Sequence, residues 1–276
     1  MTKLIMLKKR INKTIEDISK RKLSIQFSLD GFSFCASNHK NEIYCFSSYQ
    51  FEDKVNSPEL TLDHLKEIFN KDKVLQDDFE SVFVVHQNSL NAFVPNVYFN
   101  EKELKNYLKF SVKTIATDLI VYDDLELYNY KNVYIPYVNI NNFLFQSFGQ
   151  FEYKHHATIL IEKLLLKSSS EERFFVNVNL NTINIVFIED KKLVFYNSFD
   201  VETKEDFIYY ILFTLEQLML NPDEIKVTLL GEIEVGSDFY KIAYTYIRNM
   251  CFLETSSAFI NTADEVSEHS NFILLG

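Results

Sequence analysis

The first clear pattern in the chain is strict alternation. From Leu23 to Leu29 the residues read L-S-I-Q-F-S-L, which predicts a strand with one buried face. Asp30-Gly31 turns it, Phe32 to Ser37 predicts a second strand, Asn38-His39-Lys40-Asn41 supplies turn residues, and Ile43 to Tyr49 predicts a third. After Ser57-Pro58, Thr61 is the expected cap of a helix with Leu62, Leu65, Ile68 and Phe69 on one face. Glu80 to His86, with Val82, Phe83, Val84 and Val85 in succession, predicts a strand buried on both faces.

The same order returns about 150 residues later. Arg173 to Leu180 predicts a strand, Asn181-Thr182 its turn, Ile183 to Ile188 the next strand, Glu189-Asp190-Lys191 a hairpin, and Leu193 to Phe199 the third strand. A helix follows from Thr203 to Leu220, opened by the capping pair Thr203 and Asp206 and stopped by Asn221-Pro222. Ile225 to Leu230 is then a second buried strand, and I-Y-C-F-S-S-Y at 43 to 49 lines up with L-V-F-Y-N-S-F at 193 to 199. Between the copies lie a helix with Leu104, Tyr107 and Leu108 after the cap Asn100, a tyrosine-rich extended stretch from Leu119 to Tyr137, a short helix around Phe143 to Phe148, and an apolar helix from Ala157 to Leu166. Beyond the second copy, Gly236-Ser237 opens a helix with Phe239, Ile242, Ala243 and Tyr246 on one side, and Cys251 to Glu254 and Phe272 to Leu275 form short apolar ends.

Upstream of the repeat, Leu4, Leu7, Ile11, Ile15 and Ile18 recur at helical spacing and predict an amphipathic basic helix. It could pack on the body, fray, or dock to an anionic membrane, a nucleic acid or a partner. Residues 1 to 22 hold eight basic side chains and two acidic ones, a surplus of six in a chain of net charge -11, so the remainder carries -17. That balance argues against a general nucleic-acid binder.

Composition narrows the class further. A chain of 276 residues with 47% hydrophobic content buries a sufficient core without disulfides or metal, and its 26 Phe and 16 Tyr favour strands. No apolar run approaches the roughly 18 to 20 residues of a membrane-spanning helix. Three cysteines fit a reducing, cytoplasmic setting.

Two copies of a three-strand meander, a helix and a buried strand resemble the actin-like ATPase fold of sugar kinases, actin and heat-shock chaperones. L-S-I-Q-F-S-L-D-G-F-S-F-C at Leu23 to Cys35 and F-E-Y-K-H-H-A-T-I-L-I-E at Phe151 to Glu162 are similar to an uncharacterised bacterial family assigned that fold and no function. The resemblance implies a duplicated α/β, ribonuclease H-like architecture. Its expected parts are a basic segment at 1–22, a first lobe at 23–137 and a second at 138–276, whose last residues either stay with it or return to the first.

In the active members, nucleotide phosphates sit between two hairpin turns, and a Gly-Gly turn borders the adenosine. Polyphosphate must be approached by backbone N–H groups, which a Cβ obstructs, while carboxylates hold Mg²⁺ and orient water. Carried onto this chain, the vestigial nucleotide positions are Asp30 and Gly31, Asn181 and Thr182, and Gly231. The first turn keeps its acid but places Phe32 where a small residue is usual; the second has Asn for the acid and no Gly; the third has Glu232 beside its one Gly. With only 5 Gly in the chain, few places let backbone close on a ligand. The expectation is a non-enzyme: a catalytically silent scaffold that binds another protein and needs no cofactor. The rival is a divergent ATPase or kinase using ATP and Mg²⁺, in which Asp30 is the discriminating residue.

Other constellations carry less. No Walker loop, dinucleotide turn, nucleophile elbow or zinc-protease helix occurs. If the hairpin turns about His39-Lys40-Asn41, Cys35 and Cys45 face each other, but free buried thiols are expected. His155-His156 on a strand would point to opposite faces and cannot share a metal. Asp77-Asp78 and Asp123-Asp124 read as solvated acids beside loops.

Overall fold

In the computed structural model, which describes residues 5–15, 17, 19–52, 57–254, 269 and 271–275, contacts divide the chain into two units, Met1–Thr158 and Ile159–Gly276. In the first unit, strands β1 (Ile5–Asn12), β2 (Lys22–Phe27), β3 (Gly31–Ser37) and β4 (Ile43–Phe51) precede helix α1 (Pro58–Lys71) and strand β5 (Ser81–His86). The turn between β3 and β4 is built by Asn38, whose side-chain oxygen accepts from the N–H groups of Lys40 and Glu42, and by Asn41 at φ 62°. Helix α1 starts earlier than Thr61. Ser57 caps it by accepting from the Leu60 N–H at 3.2 Å, and Pro58 suits a first turn because its missing N–H is one the helix cannot use.

A three-stranded sheet then follows, made of β6 (Asn91–Pro95), β7 (Val121–Leu125) and β8 (Tyr130–Tyr134) in the order β6-β8-β7, with the short helix α2 (Leu104–Leu108) between β6 and β7 in sequence. Val94, Leu108, Val112, Val133 and Ile135 form its own small core. Helix α3 (Val138–Phe148) and strand β9 (Glu152–His155) complete the unit, and helix α4 (His156–Lys167) carries the boundary. The main sheet runs β1-β4-β3-β2-β5-β9. Leu23, Ile25, Phe27, Phe32 and Phe34 from its strands pack with Leu65, Ile68 and Phe69 of α1 and with Ile140 and Leu144 of α3. Each such large apolar side chain contributes roughly 1.5–3 kcal/mol on burial.

The second unit contains β10 (Phe174–Val178), β11 (Thr182–Glu189), β12 (Lys192–Asp200), α5 (Lys204–Gln217), β13 (Lys226–Gly231), α6 (Asp238–Tyr246) and β14 (Asn249–Phe252), with the sheet ordered β12-β11-β10-β13-β14. Asp190 and Lys191, at φ 49° and 60°, make the tight β11–β12 turn. Thr203 and Asp206 form the reciprocal capping box at the start of α5.

The repeat holds strand by strand and extends further than the sequence reading. An antiparallel meander leads in each unit to a parallel neighbour, β2 with β5 and β10 with β13, and then to a second parallel strand, β9 or β14. Strand β1 has no counterpart among the described residues.

That strand corrects the expected basic helix. Residues 5–12 pair antiparallel with β4, from Ile5↔Phe51 to Asn12↔Cys45; Lys3, Leu4, Glu16 and Ile18 lie outside the described residues. Pairing with a formed meander edge outweighs a helical spacing that only long helices can exploit alone. The basic side chains meet acids of the same unit: Arg10 reaches Asp72 at 2.8 Å and Arg21 reaches Asp77 at 2.6 Å. The facing of Cys35 and Cys45 is also corrected. Cys45 pairs with Ala36 and Cys35 with Phe46, one residue out of step, so the thiols point to opposite faces; both are buried and neither is in a disulfide. Among the described residues, no helix is long and apolar enough to cross a membrane.

Candidate functional site

Open α/β sheets bind ligands beyond the carboxyl ends of their parallel strands. Those ends carry the bends singled out from the sequence. At the first, between β2 and β3, the Ser28 N–H donates to the Gly31 carbonyl at 2.9 Å and the Asp30 N–H to Ser28 Oγ at 3.1 Å. The Asp30 carbonyl accepts from the Phe51 N–H at 2.9 Å. Gly31 is required by packing, since a Cβ there would lie 2.7 Å from the Tyr49 carbonyl oxygen. Phe32 does not stand over the bend. Alternation along β3 sends its ring into the core beside Phe34, Tyr49 and Phe69. Burial pushes the Tyr137 phenol above its ordinary range, and the nearby Asp30 charge adds to the shift.

In the second unit the register Val178↔Gly231 brings the Asn179–Thr182 bend and the Gly231 bend side by side. The Asn179 N–H donates to the Thr182 carbonyl at 2.8 Å, and the Asn181 carbonyl accepts from the Val201 N–H at 2.9 Å. Behind them runs a strip of amides. Asn177 and Asn179 both donate to Asn184 Oδ1, at 3.0 and 3.1 Å, and Asn184 donates to Ser198 Oγ at 3.1 Å. These groups are neutral, so they neither anchor a hard divalent cation as carboxylates do nor take up a proton.

Gly231, at φ +88°, closes the second unit's end. Its N–H donates to the His269 carbonyl at 2.8 Å, and the Glu232 N–H donates to the Val178 carbonyl at 2.7 Å. A Cβ at Gly231 would lie 2.1 Å from that same Val178 oxygen. His269 is held in turn by the Ile233 carbonyl at 2.5 Å and by the Phe252 ring, 4.3 Å away.

The residues that sequence reasoning missed are in the first unit. Asp123, expected to be solvated, is 8% exposed. It accepts from the Tyr134 hydroxyl at 3.0 Å, the His155 N–H at 2.8 Å and Thr158 Oγ1 at 2.6 Å. Burial raises its pKa above the usual carboxylate range, and these three donors only partly offset it. Asn132 donates to Thr158 Oγ1 and accepts from Asn91, each at 2.9 Å. His155 and His156 do not share a strand: β9 ends at the first and α4 starts at the second, so their ring centroids come within 4.6 Å. His155 Nε2 meets Asn88 Oδ1 at 3.1 Å, and burial holds the ring well below its ordinary range. His86, at the end of β5, contacts Asn141 at 2.9 Å; burial lowers it to about 4. Among the described residues, no group of three or more His, Cys, Asp or Glu is placed to hold a metal ion. A signal for this network existed in the H-H and D-D pairs, but adjacency in sequence does not reveal which element covers them.

A sequence model of a family described as a protein of unknown function, DUF3822, matches residues 10–250. No curated protein matches the sequence. Among solved structures, a Bacteroides thetaiotaomicron protein with actin-like ATPase fold and unknown function superposes with a TM-score of 0.76 at 22% identity, covering 87% of this chain and 94% of that one. The ethanolamine utilization protein EutJ from Carboxydothermus hydrogenoformans superposes with a TM-score of 0.50 at 7% identity, over 88% and 87% of the two chains. The chain therefore has an actin-like ATPase fold.

Proposed function

We infer, for this chain, which belongs to the DUF3822 family of proteins of unknown function, a catalytically silent role: an actin-like fold that serves as a scaffold by binding another protein. One observation carries the reading. At the bends where a nucleotide-using protein of this build needs bare main chain, the N–H groups of Ser28, Asp30, Asn179, Gly231 and Glu232 are taken by the chain itself, above all that of Gly231 by the His269 carbonyl. A phosphate competing for those donors must first break intramolecular hydrogen bonds, each worth roughly 0.5–1.5 kcal/mol net and more where the carbonyl is left buried. The neutral Asn179–Asn184 strip supplies no carboxylate to hold Mg²⁺ beside it. The reading fits a cytoplasmic protein with no cofactor.

The rival reading, a divergent ATPase or kinase, rests on Asp30 beside Gly31, the one acid-glycine pair retained at a bend. Titration calorimetry with Mg-ATP and Mg-ADP separates the two. The scaffold reading expects no saturable heat at micromolar protein; low-micromolar binding that Asp30→Ala abolishes would establish the rival.

A further inference from the structure

One short stretch of the first unit sets an aromatic ring and positive charge side by side in water. From Leu104 to Thr117 the chain reads L-K-N-Y-L-K-F-S-V-K-T-I-A-T, with lysines at 105, 109 and 113 and no acid, in a protein of net charge -11; Glu103 and Asp118 bound the stretch. Lys105, Lys109 and Lys113 are all exposed. Phe110 is 90% exposed, more than any other described phenylalanine.

Local structure holds that ring out. Helix α2 runs into a tight turn in which the N–H groups of Ser111 and Val112 both donate to the Leu108 carbonyl, at 3.1 and 2.8 Å. Leu108 on one side and Val112 on the other are buried in the small core with Val94, Val133 and Ile135. Lys109-Phe110-Ser111 is thus pinned at both ends, and turning Phe110 inward would unseat one of its anchors. The Lys109 ammonium lies over the Phe110 ring, 4.8 Å from its centre, and Lys105 stands one helical turn before Lys109 on the same side.

We propose that this turn docks the protein on an anionic phospholipid surface, with Phe110 entering the interface and Lys105, Lys109 and Lys113 meeting the headgroups. Charge complementarity selects that occupant, each lysine near such a surface being worth about fivefold in partition. At physiological ionic strength charges are screened over about 8 Å, so the acidic bulk of the chain weakens the attraction less than its net charge suggests. A single projecting ring needs a matching pocket in a protein partner, whereas a fluid bilayer opens around it. Nucleic acid fits less well, because one ring face on which a base would stack already carries the Lys109 ammonium. At a bilayer the same ammonium stays at headgroup level while the ring goes in. One ring and three cations give reversible binding that needs roughly millimolar lipid. The contact is independent of whether the chain binds nucleotide or another protein.

Co-sedimentation of the full chain with sucrose-loaded vesicles tests the proposal, phosphatidylglycerol mixed equally with phosphatidylcholine being compared with phosphatidylcholine alone. The chain should pellet with the anionic vesicles at about 0.1 M salt, stay in solution with the neutral ones, and be released at about 0.5 M salt. Phe110→Ser should weaken binding about tenfold, and Lys105→Gln, Lys109→Gln and Lys113→Gln together on the order of a hundredfold. Phe145→Ser removes another exposed ring of the same unit and should leave binding unchanged. The chain has no tryptophan, so Phe110→Trp supplies a single reporter, whose emission should shift to the blue on anionic vesicles. No pelleting with anionic vesicles, binding indifferent to the triple lysine variant, a Phe110→Ser effect no larger than that of Phe145→Ser, or an unshifted emission from bound Phe110→Trp would overturn it. So would lysine-dependent binding to RNA or to an acidic protein with the vesicles left unbound.

Discussion

Arg10, on the added strand β1, reaches both carboxylate oxygens of Asp72, at 2.8 and 3.3 Å. The Asp72 side chain is 1% exposed and also accepts from the Tyr49 hydroxyl at 2.7 Å and the Val74 N–H at 3.1 Å. A strand read from sequence as an amphipathic basic helix is thus fastened to the first unit by a buried acid.

Arg10→Ala removes the cation and leaves that carboxylate buried. The expected loss is about 1–3 kcal/mol, below the figure for a fully buried pair because the guanidinium is partly solvated. Urea unfolding should show a lower midpoint at unchanged slope. An unchanged midpoint would mean that the strand is held by its ladder alone.

Two glycines of similar backbone make a controlled comparison. Gly231, at φ +88°, and Gly236, at φ +85°, both lie in the left-handed region. A Cβ meets backbone 2.1 Å away at the first and nothing within 4 Å at the second. Gly236→Ala should cost about 1–2 kcal/mol from conformation alone, while Gly231→Ala should cost several kcal/mol more or abolish soluble expression. Equal melting temperatures for the two would show that the β13 end yields easily.

Stability should fall on mild acidification. His86 has a folded-state value of about 4 against 6.5 when unfolded, so between those limits the unfolded chain binds the extra proton. The contribution is complete above pH 6.5 and lost as pH falls toward 4, roughly 3 kcal/mol at full loss. His155 acts in the same direction. Asp123 opposes them, because its raised value lets the folded form take up a proton first, which favours folding as pH falls. Denaturation midpoints at pH 7 and pH 5 compared with those of His86→Gln measure the His86 share; a flat profile for the wild type would contradict the assignment.

Asp123→Asn and Asp123→Ala should part company. Burial disfavours the Asp123 charge, so the neutral amide, nearly the same in shape, should cost less than about 1 kcal/mol, the Tyr134 hydroxyl turning to accept from it. Alanine strands the His155 N–H and the Thr158 hydroxyl and should cost about 2–4 kcal/mol. Similar costs for both would show that the charge itself is what the site stabilises.

Local chemistry in the sequence was enough for the repeated order of strand, strand, strand, helix and strand. Alternation at Leu23–Leu29, the Asp190-Lys191 turn and the Thr203–Asp206 cap each act over a few residues and need no distant partner. The bends at Asp30-Gly31, Asn179–Thr182 and Gly231 were legible for the same reason. What occupies their main-chain donors was not, because the His269 carbonyl comes from 38 residues beyond Gly231. Strand β6 escaped notice as a five-residue stretch ending in proline, too short for any period to show.

Helical spacing near the N-terminus and the D-D pair at 123–124 gave the wrong environment for related reasons. A strand edge offered by β4 decided the conformation of residues 5–12, and Tyr134, His155 and Thr158, from three later elements, decided the burial of Asp123. The sequence by itself determined which elements form and in what order, since propensity and capping are set by near neighbours. Only the tertiary structure decided which charges are buried and which main-chain donors are already used, since desolvation depends on every element that closes over a group.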